Sequence, residues 1–317
     1  MKRNRGEVSL AIVFFLAMML LPLLALGGAK KQTGQGKAAP KASATQFRVK
    51  DLSTQQILTV DDEDFVTATV AAELSPEAPA EALKAQAVAA RTYYGRLRQQ
   101  SRASAGEESD FEVESYLTPE KMKQRWGASY DKYYAAVHGA AAATAGQVLR
   151  YDGALADTTY FAISPGQTED AQDVWGGKCA YLVSVASPGD AFAGGYQTEA
   201  AFSDEDFRSR VLKAAPKANL SGPAESWIGT AVCTQAGTVK TVAVGGETLT
   251  GGQMRQALGL RSAAFTAQHT KDGFRFTVRG YGHGVGMSQV GAESMARQGA
   301  GYREILAWYY PGTALGA

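Results

Sequence analysis

The chain has 317 residues, 45% of them hydrophobic and 20% charged, close to the globular average, which excludes a disordered or fibrous protein. With 32 basic and 31 acidic residues the net charge is +1, which argues against a strongly basic nucleic-acid binder. Two departures stand out: 35 glycines, about 11% against a usual ~7%, and apolar residues crowded at the N-terminus.

In chain order, Lys2, Arg3 and Arg5 precede an uncharged run of 19 residues from Val8 to Leu26, interrupted only by Ser9 and Pro22. A spanning helix needs roughly 20 apolar residues and a signal h-region about 7–15, so the length predicts a retained transmembrane helix within residues 1–28. The flanking cations orient its N-terminus to the cytoplasm and place the rest of the chain outside. A cleaved signal is the competing reading, because Ala25-Leu26-Gly27 offers a weak small-x-small site. Residues Gly27 to Gln46 contain no Val, Ile, Leu, Met or aromatic residue and carry four lysines, so residues 29–46 read as a flexible tether. The folded part is then 47–317.

From Phe47 to Val70 the pattern predicts short strands, merging into a mainly apolar stretch, Phe65 to Leu74, that includes one carboxylate, Glu73. After Ser75-Pro76 the spacing predicts a helix over about 79–99, with the stripe Leu83, Ala87, Ala90, Tyr94 and Leu97. Lys84 and Arg91, seven apart, share one face of that helix, ~10 Å apart along its axis. Residues 101–114 read as a loop, and 119–127 and 129–143 as helices. Residues 147–151 and 155–162 read as strands joined at Asp152-Gly153, a strong hairpin signal. The acids, glycines and tryptophan of 166–170 and 173–177 form a loop that fits either a site or a plain turn. Further strands are predicted within 227–244, at Phe265 and over 274–278, and closing helices over 287–298 and 302–310.

Two cysteines, Cys179 and Cys233, exclude a disulfide framework and leave open one disulfide or two separate thiols. His138, His269 and His283 have no neighbouring His or Cys at metal-ligand spacing, so no metal or other cofactor is expected. The run from Gly280 to Gly286 alternates glycine with Tyr281, His283 and Val285, a pattern that permits positive φ and close backbone approach. His283 within it fits a general acid or base, an orienting partner, or a tie for the loop.

Three blocks carry a family resemblance. Residues 68–97, ATVAAELSPEAPAEALKAQAVAARTYYGRL, come first. Asp173-Val174-Trp175-Gly176 with Tyr181 to Val185 follow. Leu258-Gly259-Leu260-Arg261-Ser262 leads into the third, RGYGHGVGMSQVGAESMARQGAGYREILAWYYPGT. In this order the chain resembles the stage II sporulation protein D family, also called the SpoIID/LytB domain. The resemblance implies an α+β fold, with a mixed sheet and helices forming a bilobed, grooved catalytic domain. It implies a lytic transglycosylase that cuts peptide-stripped wall glycan and leaves 1,6-anhydro-MurNAc ends during engulfment in endospore formation. The implied partners are a sporulation amidase and a membrane scaffold. Some relatives enhance an amidase instead, which is the alternative.

Matched to the family's motifs, Glu73 is the expected catalytic residue, and Lys84, Arg91, Asp173, Tyr281, His283 and Gln289 are expected to bind substrate. The chain departs from many relatives at Phe161-Ala162-Ile163-Ser164, where the usual histidine is missing, so a metal site of some relatives does not carry over. The chemistry is consistent with a single acid. The apolar neighbours of Glu73 should raise its pKa and hold its proton ready, and intramolecular attack by the sugar's C6 hydroxyl dispenses with a second carboxylate.

Overall fold

The computed structural model describes residues 46–52, 54–104, 110–113 and 116–317. The expected membrane helix, and the tether except for Gln46, lie outside the described residues. Among the described residues no helix is long and apolar enough to cross a membrane. The fold is mixed α+β, with helices and several small sheets, and it divides into two compact units: residues up to Asp157 together with Leu315–Ala317, and Thr158–Ala314.

In the first unit, β1 (Gln46–Asp51) pairs antiparallel with β2 (Gln56–Asp61). Helix α1 (Asp62–Glu73) begins immediately afterwards. This corrects the expectation of strands through Val70. Asp62, Glu63 and Asp64 fill the first turn, where acidic side chains complement the helix dipole. Every residue from Phe65 to Ala72 is buried, so the helix shows no polar face and its sequence no helical period. Next is α2 (Ala80–Ser104), as predicted but longer. Leu83, Ala87, Ala90 and Tyr94 of its stripe are buried and Leu97 is half-buried; Ala82, Ala85, Val88 and Ala89 are buried as well, so small residues let several neighbours pack close. Strand β3 (Phe111–Val113) joins β1 in parallel, within the segment expected to be loop.

The core of this sheet-on-helix layer is aromatic. The Phe65 ring centroid lies 4.6 Å from Phe47, 5.0 Å from Tyr94 and 5.6 Å from Phe111. Each such buried side chain contributes about 1.5–3 kcal/mol. Helix α3 (Pro119–Trp126) is capped by Thr118, whose hydroxyl accepts from the Lys121 N–H, and α4 (Tyr130–Ala143) follows. Strands β4 (Val148–Tyr151) and β5 (Ala154–Leu155) form the predicted hairpin, with Asp152 at φ +48° and Gly153 at φ +79°, the two positive angles that a two-residue hairpin of this kind needs.

The second unit starts with β6 (Tyr160–Phe161), so the single strand expected over 155–162 is two strands in two units. Helix α5 (Ala171–Trp175) is capped by Asp170, and β7 (Gln197–Phe202) leads into α6 (Asp204–Ala214). Strands β8 (Ile228–Cys233), β9 (Val239–Val244) and β10 (Glu247–Thr250) form one antiparallel sheet in the order β10-β9-β8, followed by α7 (Gly251–Leu258). A second antiparallel sheet is built from β11 (Phe265–Thr270), β12 (Gly273–Arg279) and β7, with β12 central. Phe207, Trp227, Phe274 and Phe276 fill the core between these elements, Phe207 and Phe274 stacking at 4.1 Å. Strand β13 (Met287–Ser288) pairs in parallel with β6, and α8 (Gln289–Arg297) and α9 (Tyr302–Tyr309) close the unit as predicted. The last strand, β14 (Ala314–Gly316), lies beside β4 in the order β14-β4-β5.

Candidate active site

In the first unit, Glu73 is the final residue of α1 and is half-buried. Val70, Ala71, Ala72 and Leu74, its neighbours in sequence, are all buried. The Leu74 N–H bonds the Val70 carbonyl at 2.9 Å, and the last turn carries no basic residue. Arg125 of α3 donates to the Ala71 carbonyl at 3.4 Å, tying this end of α1 down.

The start of α1 is clamped from α2 by two arginines. Arg98 donates to both carboxylate oxygens of Asp62, at 2.7 and 3.3 Å. Arg91 forks onto Glu63, Nη2 at 2.7 Å and Nε at 3.2 Å, and also donates to the Ala141 and Gln147 carbonyls and the Thr144 hydroxyl. Arg91 is only 5% exposed. The expectation that it binds sugar therefore meets a guanidinium whose donors are already engaged inside the protein. Lys84, half-buried, pairs with Glu81 at 2.6 Å one turn away.

The other expected site residues belong to the second unit. Asp173 lies on α5 and pairs with Lys240 at 2.6 Å. Gln289 begins α8 and is buried. Tyr281 is fixed by reciprocal backbone bonds with Ile163, and the Arg261 guanidinium lies 3.7 Å from its ring centroid. Burial pushes the Tyr281 hydroxyl up to about 12.

His283 settles its three possible roles by geometry. Its Nδ1 accepts from the Val285 N–H at 3.1 Å, which leaves the proton on Nε2 to be donated to the Tyr160 carbonyl, also 3.1 Å. Both nitrogens serve the main chain. Burial, and then the positive charge of Arg255, hold the ring neutral, with a pKa down at about 3. His283 thus ties the loop rather than shuttling protons. Its ring lies 5.2 Å from that of Trp175, tilted by 47°, and Trp175 is 39% exposed.

The glycines earn their alternation. Gly280, Gly282, Gly284 and Gly286 all have positive φ, and a Cβ on Gly286 would stand 2.0 Å from the Thr159 carbonyl oxygen. This loop wraps Glu169, whose N–H donates to the Gly284 carbonyl at 2.7 Å. The Glu169 carboxyl is buried, accepts from Thr234 at 3.1 Å, and is raised above the usual carboxylate range by desolvation. Asp190, fully buried, accepts from Ser164 and Ser288 and is raised for the same reason. Sequence reading gave no role to Glu169, Asp190, Trp175, Arg255 or Arg261. The loop position of Glu169 and Trp175, and the family blocks that contain Trp175 and Arg261, were the signals available. Cys179 and Cys233 are free thiols, and among the described residues no group of three His, Cys, Asp or Glu stands where it could hold a metal.

An α+β chain with a half-buried glutamate closing one helix and a glycine-laced histidine loop in its second unit defines the class of protein. Comparison with known proteins gives the family. The family described as "Stage II sporulation protein" matches residues 50–151. The chain is 33% identical over 293 residues to stage II sporulation protein D of Bacillus subtilis (strain 168), covering 90% of this chain and 83% of that one. It is 32% identical to the protein of the same name from Bacillus amyloliquefaciens, covering 89% and 82%. A more distant relative is the amidase enhancer of Bacillus subtilis, 27% identical over 74% of this chain and 38% of that one. The chain belongs to the stage II sporulation protein D family.

Proposed function

We propose that the protein is a peptidoglycan lytic transglycosylase acting on peptide-stripped glycan, with Glu73 as its one acid–base group. The observation that carries this reading is Glu73 itself, half-buried among apolar residues at the end of a helix whose first turn is pinned by two arginines. Glu73 donates its proton to the glycosidic oxygen as the C1–O bond breaks. The resulting carboxylate then takes the proton of the C6 hydroxyl as that oxygen bonds to C1. No water is consumed, and the proton on Glu73 is restored.

This reading assigns Lys84 to sugar carboxylates or hydroxyls and Asp173 to a hydroxyl or the developing oxocarbenium charge, with Tyr281 and Gln289 as further contacts. Arg91 and His283 act one step back, as positioning residues, because the protein occupies their polar atoms. The reading includes a retained N-terminal helix in the cell membrane with the catalytic part outside, a role in septal wall degradation, and a sporulation amidase and membrane scaffold as partners. Peptidoglycan is the substrate and no cofactor is used.

Mass spectrometry of products tests it. The full chain should convert peptide-free glycan into fragments one water lighter than hydrolysed ones. Glu73→Gln should release none while its circular dichroism stays unchanged. Hydrolysed reducing ends would leave a glycosidase but remove the transglycosylase. Similarity to the amidase enhancer favours a second reading, which wins if no glycan is cut and amidase activity rises on adding the protein.

A further inference from the structure

Two arginines of the second unit combine a buried, unpartnered Nε with the lack of an ion pair. Arg255, on α7, is 9% exposed, and its Nε is buried without a hydrogen-bond partner. Arg261, three residues beyond α7, also has a buried Nε without a partner. Among the described residues neither forms an ion pair; the ionisable group that acts on each is the Tyr281 hydroxyl. Burial drags Arg255 down to about 10 and lowers Arg261 as well. Taking a cation out of water without a counter-charge costs several kcal/mol. Most buried arginines avoid this as Arg91 does, by forking onto a carboxylate.

The surroundings narrow the missing anion. The Arg261 guanidinium lies 3.7 Å from the Tyr281 ring centroid, and Arg255 is close enough for its charge to act on both Tyr281 and His283. On His283 rests Trp175, one of the few large apolar side chains left exposed. A guanidinium fork matches a planar carboxylate better than any point charge does. An exposed aromatic face beside it suits the apolar face of a pyranose ring. Cations alone would serve any anion; the combination fits an acidic sugar.

We infer that Arg255 and Arg261, with Trp175 across His283, form a subsite for an acidic sugar, binding the free lactyl carboxylate of N-acetylmuramic acid. The inference rests on the glycan reading above and explains how stripped strands would be told from intact ones. Removing a stem peptide converts an uncharged amide into this carboxylate. The two arginines therefore read the absence of the peptide as the presence of a charge.

Isothermal titration on the full chain carrying Glu73→Gln, so that nothing is cut, tests this with three probes. These are a peptide-free GlcNAc-MurNAc tetrasaccharide, its lactyl methyl ester, and the same glycan with stem peptides attached. The free acid should bind about ten-fold or more tighter than the ester, as a charge-assisted pair implies. The peptide-bearing glycan should bind like the ester. Arg255→Gln and Arg261→Gln should each erase the preference for the acid over the ester. Arg255→Gln deletes a buried charge, so it should melt no lower than its parent. Should either variant fail to fold, Arg261→Lys, which keeps the charge and loses the fork, should show a reduced preference. Equal binding of acid and ester overturns the inference. So does an unchanged preference in the variants, tight binding through the peptide's own carboxylate, or no binding of any probe. A chain that prefers the acid but whose Glu73 parent releases no anhydro ends keeps this subsite and loses the lytic function. A chain that cuts both acid and ester glycan alike does the reverse.

Discussion

At the scale of single residues, two charges show how position decides role. Arg91 gathers Glu63, Thr144 and two carbonyls around one guanidinium, joining α1, α2 and the end of α4. Glu63→Gln would leave that guanidinium short of its counter-charge. Glu63 is itself one-third exposed, so the cost should be moderate, about 2–3 kcal/mol by urea unfolding. His283 makes the second case. Its folded pKa lies below the ordinary histidine value, so the unfolded chain takes up a proton that the folded chain refuses. Its contribution is whole above pH ~6.5 and fades as the pH falls toward about 3. Glu169 and Asp190, raised by burial, act in the opposite sense. Comparing the pH dependence of melting in His283→Gln and in the parent isolates the histidine; parallel curves would contradict a ring held neutral in the folded protein. The sequence marked His283 through its glycines, yet could not say what its nitrogens meet. Arg255 left no trace, and Arg261 showed only as one letter of a family block, because an arginine near a helix end is ordinarily a solvated one.

At the scale of elements, legibility followed amphipathicity. Helix α2 and the β4–β5 hairpin announced themselves through spacing and Asp-Gly. Helix α1 did not, because burial on all sides erases the period, and its β-branched residues, Val66, Thr67, Thr69 and Val70, mimic a strand. What it does have is a clear polarity: three acids at its start, Glu73 at its end. The glycine loop is legible for the opposite reason, since only backbone constraint explains so regular an alternation. Gly286→Ala puts a methyl against the Thr159 carbonyl at a positive φ and should cost about 3 kcal/mol or more, seen as a lowered Tm. Gly177→Ala, at an open position with ordinary φ, is the control and should change little.

At the scale of the whole molecule, composition identified a globular protein but did not show that the chain divides at residue 158. The expected site residues divide accordingly, Glu73, Lys84 and Arg91 in the first unit and Asp173, Tyr281, His283 and Gln289 in the second. The chain runs from the first unit into the second and returns at Leu315 to lie beside β4. A ribosome therefore delivers the first unit in two instalments, with the whole second unit made in between. The strand β14 is made only after the whole second unit, so nascent chains that have not yet reached it hold β4 with an open edge.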